Sequence, residues 1–290
     1  MEDTAVTIVR EAAARAAARR AEVFGAGGYT APSGEEITGE ASPGPVRTKS
    51  TPTDPVTVVD TETEDFVRAR LGELRPGEAI LGEEQGATER PAPGAVRWVV
   101  DPIDGTVNFM YGVPAYAVSL AAQIDGVSVA GAVADIASGA LYSASRGGGA
   151  REIAPDGAVR DLRVNSLDDP GLALVATGFG YHPERRARQG AILAQLLPRV
   201  RDVRRIGSAA LDLCMVAAGR VDAHYEHGLS PWDWAAGALI ADEAGARVVL
   251  PGPDSTSADG ELTLVAVPGV ADAFAQLLRA AGGYEALPQT

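Results

Sequence analysis

Several features that would announce a protein's class are missing or scarce. The 290 residues contain one cysteine, Cys214, so no internal disulfide forms, and its setting LDLCMVAAG reads as a buried helix face. Positive charge is in the minority: 25 Lys plus Arg face 39 Asp plus Glu, a net charge of −14. That balance excludes the basic face on which duplex binding rests, so no nucleic-acid partner is expected. No run approaches the roughly 18 apolar residues of a membrane span. The start, Met1-Glu2-Asp3, lacks the basic flank and apolar core of a secretory signal, which predicts a cytoplasmic protein with no membrane partner. A Walker motif is absent, and no GxGxxG follows a strand. Gly147-Gly148-Gly149 lacks the lysine and helix that a phosphate loop needs. His182, His224 and His227 never form a zinc-binding pair, and Ser119, Ser143 and Ser145 stand outside a nucleophile elbow.

What is present describes a folded enzyme-sized chain. Hydrophobic residues at 46% and charged residues at 22% exclude a mostly disordered chain and allow one large or two modest domains. An Ala/Arg-rich stretch from Thr4 to Phe24 predicts a helix, and Gly25 to Pro45 reads as a long Gly/Pro/Ser/Glu loop. Phe66, Val67, Leu71 and Leu74 share one face of a second helix. Ala79 to Glu84 reads as a short apolar strand that stops in two acids, and a further strand begins at Trp98. Tyr116–Gln123 and Gly126–Val133 form a hairpin about Ile124-Asp125-Gly126, and Ala140–Ser145 and Gly149–Ile153 continue the strand-rich pattern. Beyond residues 155–170 the rhythm alternates: strand at Leu172–Thr177, helix at Glu184–Leu197, strand at Val200–Ile206, helix at Ser208–Ala218, strand at Ala223–Glu226, helix at Pro231–Ala244, strand at Ala246–Leu250, and an amphipathic helix at Val270–Ala281. Alternation of this kind predicts an α/β arrangement. The expected organisation is a single catalytic unit over 1–290, with an α+β part over about 1–160, an α/β part over 161–290, and a mobile loop at 25–47.

The chemistry gathers in acidic residues at element ends. In WVVDPIDGTVNF, Trp98 to Phe109, an apolar run meets Asp101 and Asp104, spaced by Pro102 and Ile103 and followed by Gly105 and Thr106. Carboxylates and bare amides at one turn suit a hard divalent cation and a phosphate; the other reading is turn chemistry between buried elements. Asp60 after VTVV, Glu83 after AILG and Asp233 in SPWDWAAG stop strands or start helices in the same way. Trp232 and Trp234 bracket Asp233, which reads as an enclosed acid in need of a cation, or as a helix-start acid complementing the dipole. A helix opening after Gly105-Thr106 offers free N–H groups to an anion. Gly207-Ser208-Ala209 repeats that design, with Ser208 also a good N-cap.

GEE at 82–84, WVVDPIDGTVNF, and WDWAAGALIADEAGA at 232–246 together strongly resemble the inositol monophosphatase family, with further likeness in IGSAALDLCMVAAGRVDAHYEHG at 206–228. The resemblance extends from about Lys49 to the C-terminus. It implies a layered αβαβα sandwich with an α+β N-terminal part and an α/β C-terminal part. It also implies a magnesium-dependent, lithium-sensitive phosphomonoesterase with two or three metal ions, assembled as a homodimer. By resemblance, Glu83, Asp101, Asp104, Asp233 and the Ile103 carbonyl are metal ligands. Thr106 backed by Asp60 activates the attacking water, in company with Glu83. Gly105 and Thr106 amides hold phosphate, and Gly207, Ser208, Ala209, Glu226 and Asp233 contact a phosphorylated polyol. The implied substrate is myo-inositol 1-phosphate. Fructose 1,6-bisphosphate, histidinol phosphate, a nucleotide 3′-phosphate, or a silent regulatory role on the same scaffold are the alternatives.

Overall fold

The computed structural model describes residues 1–25, 46–49, 55–88 and 91–289. Helix α1 (Glu2–Phe24) buries Ala5, Ile8, Val9, Ala12 and Ala16, a stripe at three- and four-residue spacing that alanine keeps narrow enough for close packing. Strands β1 (Val46–Thr48) and β2 (Pro55–Thr57) pair antiparallel, so the end of the expected 25–47 loop is ordered as strand, while its residues 26–45 lie outside the described residues. In helix α2 (Val58–Leu74) the inward positions are Val59, Thr63, Val67 and Leu71. Leu74, expected inward, is 44% exposed, at the last position of the helix.

Next come β3 (Ala79–Gly82), β4 (Gly86–Ala87), β5 (Val96–Asp104), α3 (Thr106–Tyr111), β6 (Ala117–Ile124), β7 (Val127–Asp135), β8 (Leu141–Ser145), β9 (Gly149–Ile153) and β10 (Val159–Asp161). These strands make a sheet ordered β10-β9-β8-β7-β6-β5-β3-β4, antiparallel except for β3 against β5. The hairpin turn has φ of 50° at Asp125 and 80° at Gly126, the double positive φ whose twist matches the flanking strands. Glu243 accepts hydrogen bonds from Gly147 N (2.8 Å) and Gly149 N (2.9 Å), so the triple glycine serves as a pinned hairpin tip.

The remaining chain supplies β11 (Leu174–Thr177), α4 (Pro183–Leu196), β12 (Asp202–Arg204), α5 (Ala209–Ala217), β13 (Ala223–His227), α6 (Pro231–Glu243), β14 (Arg247–Val249), β15 (Leu262–Ala266) and α7 (Pro268–Ala280). The second sheet runs β12-β11-β13-β15-β14, with β12, β11 and β13 mutually parallel and β15 antiparallel to both of its neighbours. Two details differ from expectation. The strand placed at 200–206 spans only Asp202–Arg204, and the sequence reading did not identify β15, whose five residues are all buried.

The layers alternate helix, sheet, helix, sheet, helix. Ile8, Val67 and Leu71 of α1 and α2 pack with Trp98 and Leu120 on one face of the large sheet. On its other face Leu213, Cys214, Leu239 and Ile240 of α5 and α6 meet Val99, Val133 and Tyr142, and reach Val265 of the second sheet. That sheet is closed from outside by Ile192, Leu196, Phe274 and Leu278 of α4 and α7. Each large side chain buried in this way contributes about 1.5–3 kcal/mol. The middle helices α5 and α6 therefore have fixed N-termini, and both point at the end of β5. Among the described residues no helix is long and apolar enough to cross a membrane.

Candidate active site

Asp101 and Asp104 both lie within β5, so the strand continues through the place where a sharp turn was expected. In a regular strand, residues three apart face opposite sides of the sheet. Here Asp101 pairs with Ser119 and Asp104 with Ala117, so β5 advances three residues while β6 advances two. The extra residue is a bulge at Pro102-Ile103, where a proline without an N–H is tolerated, and it brings the second carboxylate round to the first. The chain then turns at Gly105, φ 91°, where a Cβ would sit 2.9 Å from the Ala115 carbonyl and 3.0 Å from that of Gly207. Only glycine satisfies both demands.

Each acid is fixed by the backbone of its own or a neighbouring element. Asp101 Oδ1 accepts from Ile103 N (3.0 Å). Asp104 Oδ2 accepts from Ser208 Oγ (2.5 Å) and Ala210 N (2.7 Å) at the start of α5. Ser208 Oγ also accepts from Leu211 N, so this hydroxyl caps the helix and positions Asp104 at once. Asp233 is the third residue of α6, where its Oδ2 accepts from Ser230 N (2.6 Å) in a capping box. One oxygen each of Asp101, Asp104 and Asp233 lie within 4.8 Å of one another. Glu83 follows β3 at the rim, and its turn is held by Glu64 of α2, which accepts from Glu84 N (2.8 Å) and Gln85 N (3.1 Å).

Thr106 and Asp60 form a second group beside these acids. Thr106 Oγ1 is 3.0 Å from both Asp60 Oδ1 and the Ile103 carbonyl. Asp60 is the third residue of α2, and its Oδ2 accepts from Thr57 N and Thr57 Oγ1. Burial pushes the Asp60 pKa up to about 6, against the opposing pull of the Thr57 hydrogen bond.

Crowding of like charge marks the whole cluster. Burial raises Asp101 well above the ordinary carboxylate range, and the charges of Glu83, Asp104 and Asp233 raise it further. Asp233 is raised by burial and by Glu83 and Asp104. Asp104 is raised by burial, with the Ser208 hydrogen bond opposing. Three converging carboxylates with a fourth at the rim are a hard-oxygen donor set in the ordinary sense of divalent-cation sites, and a cation there removes the repulsion that otherwise recruits protons. Lys49 Nζ lies 2.8 Å from Glu83 Oε1 and 2.5 Å from Glu84 Oε1. Burial works against its charge, yet the two glutamates outweigh it and raise its pKa.

These groups form one end of a cavity of about 410 Å³. Glu83, Asp104, Gly105, Gly207, Ser208, Ala209, Glu226 and Asp233 line it, as do Lys49, Arg205, Phe179 and Asp212. The first eight are among the residues singled out from the sequence, and Asp60, Asp101, Ile103 and Thr106 lie behind them. Sequence reasoning assigned no role to Lys49, Arg205, Asp212 or Glu64. Lys49 carried one signal: it is the only lysine in the chain.

The model of the inositol monophosphatase family matches residues 2–282. This chain belongs to that family. As a member of the inositol monophosphatase family it is a phosphatase. An inositol-1-monophosphatase from Mycobacterium leprae is 56% identical over 282 residues, 96% of this chain and 93% of the relative. The solved structure of Mycobacterium tuberculosis SuhB superposes with a TM-score of 0.79 at 49% identity, covering 98% of this chain and 97% of that one. A Pasteurella multocida protein named Nus factor SuhB is 40% identical across 67% of this chain and 71% of its own. The layered fold is therefore that of this phosphatase family, and Asp101, Asp104 and Asp233 form an acidic cluster that could hold a metal ion.

Proposed function

We propose that the enzyme hydrolyses myo-inositol 1-phosphate to myo-inositol and phosphate with magnesium, in the cytoplasm, as a homodimer. The observation that carries this reading is the meeting of Asp101, Asp104 and Asp233 at one end of a polyol-sized cavity that has Glu226 among its walls. Glu83, Asp101, Asp104, Asp233 and the Ile103 carbonyl would hold two or three magnesium ions, with lithium competing for one of those places. When bound, magnesium neutralises phosphate charge and eases deprotonation of water.

The chain's own residues supply the rest. Thr106 donates its single hydroxyl proton to Asp60, which leaves its lone pairs free to accept a proton from the attacking water. Asp60, ionised above about pH 6, is poised to take that proton through Thr106, the matching of pKa to working pH that general-base catalysis favours. The amides of Gly105 and Thr106, at the start of α3, hold the phosphate. Gly207, Ser208 and Ala209 shape the far wall, and Glu226 accepts the polyol hydroxyls. Attack in line on phosphorus breaks the bond to the inositol oxygen, which takes up a proton from solvent water, and no side chain becomes phosphorylated.

A parallel assay of inositol 1-phosphate, fructose 1,6-bisphosphate, histidinol phosphate and a nucleotide 3′-phosphate with magnesium tests the substrate. Highest kcat/KM on inositol 1-phosphate is expected; preference for any of the other three removes that assignment while leaving the phosphatase intact.

A further inference from the structure

Behind the cavity wall lies a polar group that the chemistry above does not use. Asp212, in the first turn of α5, is 1% exposed, and His224, on β13, is fully buried. Among the described residues neither ring nitrogen of His224 has a hydrogen-bond partner, and neither does Asp212 Oδ1. Buried polar atoms are seldom left in this state, so each asks for an explanation. His224 and Glu226 are two apart on β13 and share one face of the strand. The imidazole thus stands between two carboxylates, with Nδ1 3.7 Å from Asp212 Oδ2 and Nε2 4.0 Å from Glu226 Oε2. Gly178, at the end of β11, completes the setting: a Cβ there would fall 2.0 Å from Glu226 Oε2. The Glu226 carboxylate therefore fills space that any other residue at 178 would take.

We infer that Asp212, His224 and Glu226 act as one hydrogen-bonded relay along the cavity wall, in which His224 fixes the orientation of Glu226 toward the substrate's hydroxyl groups. Asp212 and His224 are positioning residues, and their role rests on the reading of Glu226 as the polyol acceptor. Both separations exceed a direct hydrogen bond and close with a small side-chain rotation or through one water. A metal is a poor occupant, since the two nitrogens of one ring point away from each other and only one can ligate a given ion.

The proton inventory favours one polarity. Burial lowers the His224 pKa to about 3, so the ring is neutral and has one donor and one acceptor. Burial raises Asp212 well above its ordinary range, with Glu226 and Asp104 adding to the effect and Arg205 opposing it. The geometry then gives the relay one polarity: a neutral ring with its proton on Nε2 faces Glu226 Oε2 as donor and faces the Asp212 carboxyl, which burial pushes toward its protonated form, as acceptor at Nδ1. One Glu226 oxygen is held and the other faces the cavity. Burial raises the Glu226 pKa to about 7, with Arg205 opposing and Asp104 adding to the rise, so its carboxylate is a full acceptor above that pH; Glu226 in turn raises Asp233.

Steady-state kinetics of the full-length magnesium-loaded enzyme test the relay on two substrates, myo-inositol 1-phosphate and p-nitrophenyl phosphate, which has no polyol ring. His224→Phe keeps the ring volume and should raise KM for inositol 1-phosphate about tenfold, the size of one hydrogen bond, with kcat and the KM for p-nitrophenyl phosphate unchanged. Asp212→Leu should behave alike, whereas Asp212→Asn retains an N–H donor for Nδ1 and should stay near wild type. Equal KM changes on both substrates, or Asp212→Asn as damaging as Asp212→Leu, would overturn the proposal. Imidazole 15N shifts of the wild-type protein give a readout independent of substrate and of variant folding: a neutral ring protonated at Nε2 is expected, and a ring protonated at Nδ1 or at both nitrogens sinks the relay. Should Glu226→Gln leave the KM for inositol 1-phosphate unchanged, the polyol role of Glu226 fails instead, and the 15N shifts alone then decide the relay.

Discussion

Helices α2 and α6 begin in the same way and serve the site differently. Each opens with a hydroxyl N-cap, Thr57 or Ser230, and an aspartate at the third helical position, Asp60 or Asp233, closing a capping box. In both, one carboxylate oxygen is tied to the N-cap amide and the other is left to the site. Their neighbours then set them apart. Asp60 meets the hydroxyls of Thr57 and Thr106, whereas Asp233 meets the carboxylates of Asp101 and Asp104. A hydroxyl neighbourhood makes a proton acceptor, and a carboxylate neighbourhood makes a cation site. A third capping box, Thr256 with Asp259, lies on the surface, where Asp259 is held below the ordinary range by the Thr256 hydrogen bonds. The local motif is thus a way of aiming an acid, and tertiary context decides what the aimed acid does.

Substitution of the acids should separate the three boxes. Asp233→Asn, and likewise Asp104→Asn, should lower magnesium-dependent turnover by about 10³-fold or more while circular dichroism stays native; near-normal activity in either would remove the metal assignment. Asp60→Asn or Thr106→Ala should cost about 10²-fold in kcat and leave the magnesium-induced rise in melting temperature intact. Loss of that rise would make Asp60 part of the cation site and erase the contrast between the helices.

Metal-free protein offers a milder test of the same contrast. Asp60, Asp101, Asp104 and Asp233 all have pKa values raised in the folded state, so their contribution to stability is fully present below the ordinary carboxylate range and is lost as pH rises, through about 6 for Asp60 and Asp104. Melting temperature without metal should fall from pH 4.5 to pH 7.5, and magnesium should restore more at pH 7.5 than at pH 5. A magnesium gain independent of pH would show that the carboxylates are not in competition between protons and cation. Gly178→Ala should act only at the polyol end, raising KM for inositol 1-phosphate by about tenfold through displacement of Glu226, with kcat on p-nitrophenyl phosphate retained. The smallest effect belongs to Asp259→Asn, for which turnover should equal wild type; a drop would mean that the surface box also reaches the site.

How much of this was readable beforehand follows from what is local. Asp101, Asp104, Gly105 and Thr106 fall within six consecutive residues, so their chemistry showed in the chain itself, and the family resemblance supplied roles for Glu83, Asp60 and Glu226. The bulge that makes Asp101 and Asp104 neighbours was not readable, because it exists only in the register of β5 against β6. Glu64, in TETEDF, looks like a solvated helix acid, and its burial is a property of the turn that packs on it. Asp212 and His224 are likewise unremarkable until α5 is laid across β13. Strand β15 escaped because LTLVA, four apolar residues and Thr263 between Gly260 and Pro268, carries no sustained alternation to distinguish it from a buried connection.

Lys49 gives the cation end a reporter of its own. The chain contains a single ε-ammonium, and it stands against Glu83 and Glu84, so isotope labelling of lysine alone yields a spectrum with one side-chain signal. Titrating magnesium into such a sample follows the rim of the acidic cluster by one resonance, without a substrate, a mutation or an assignment.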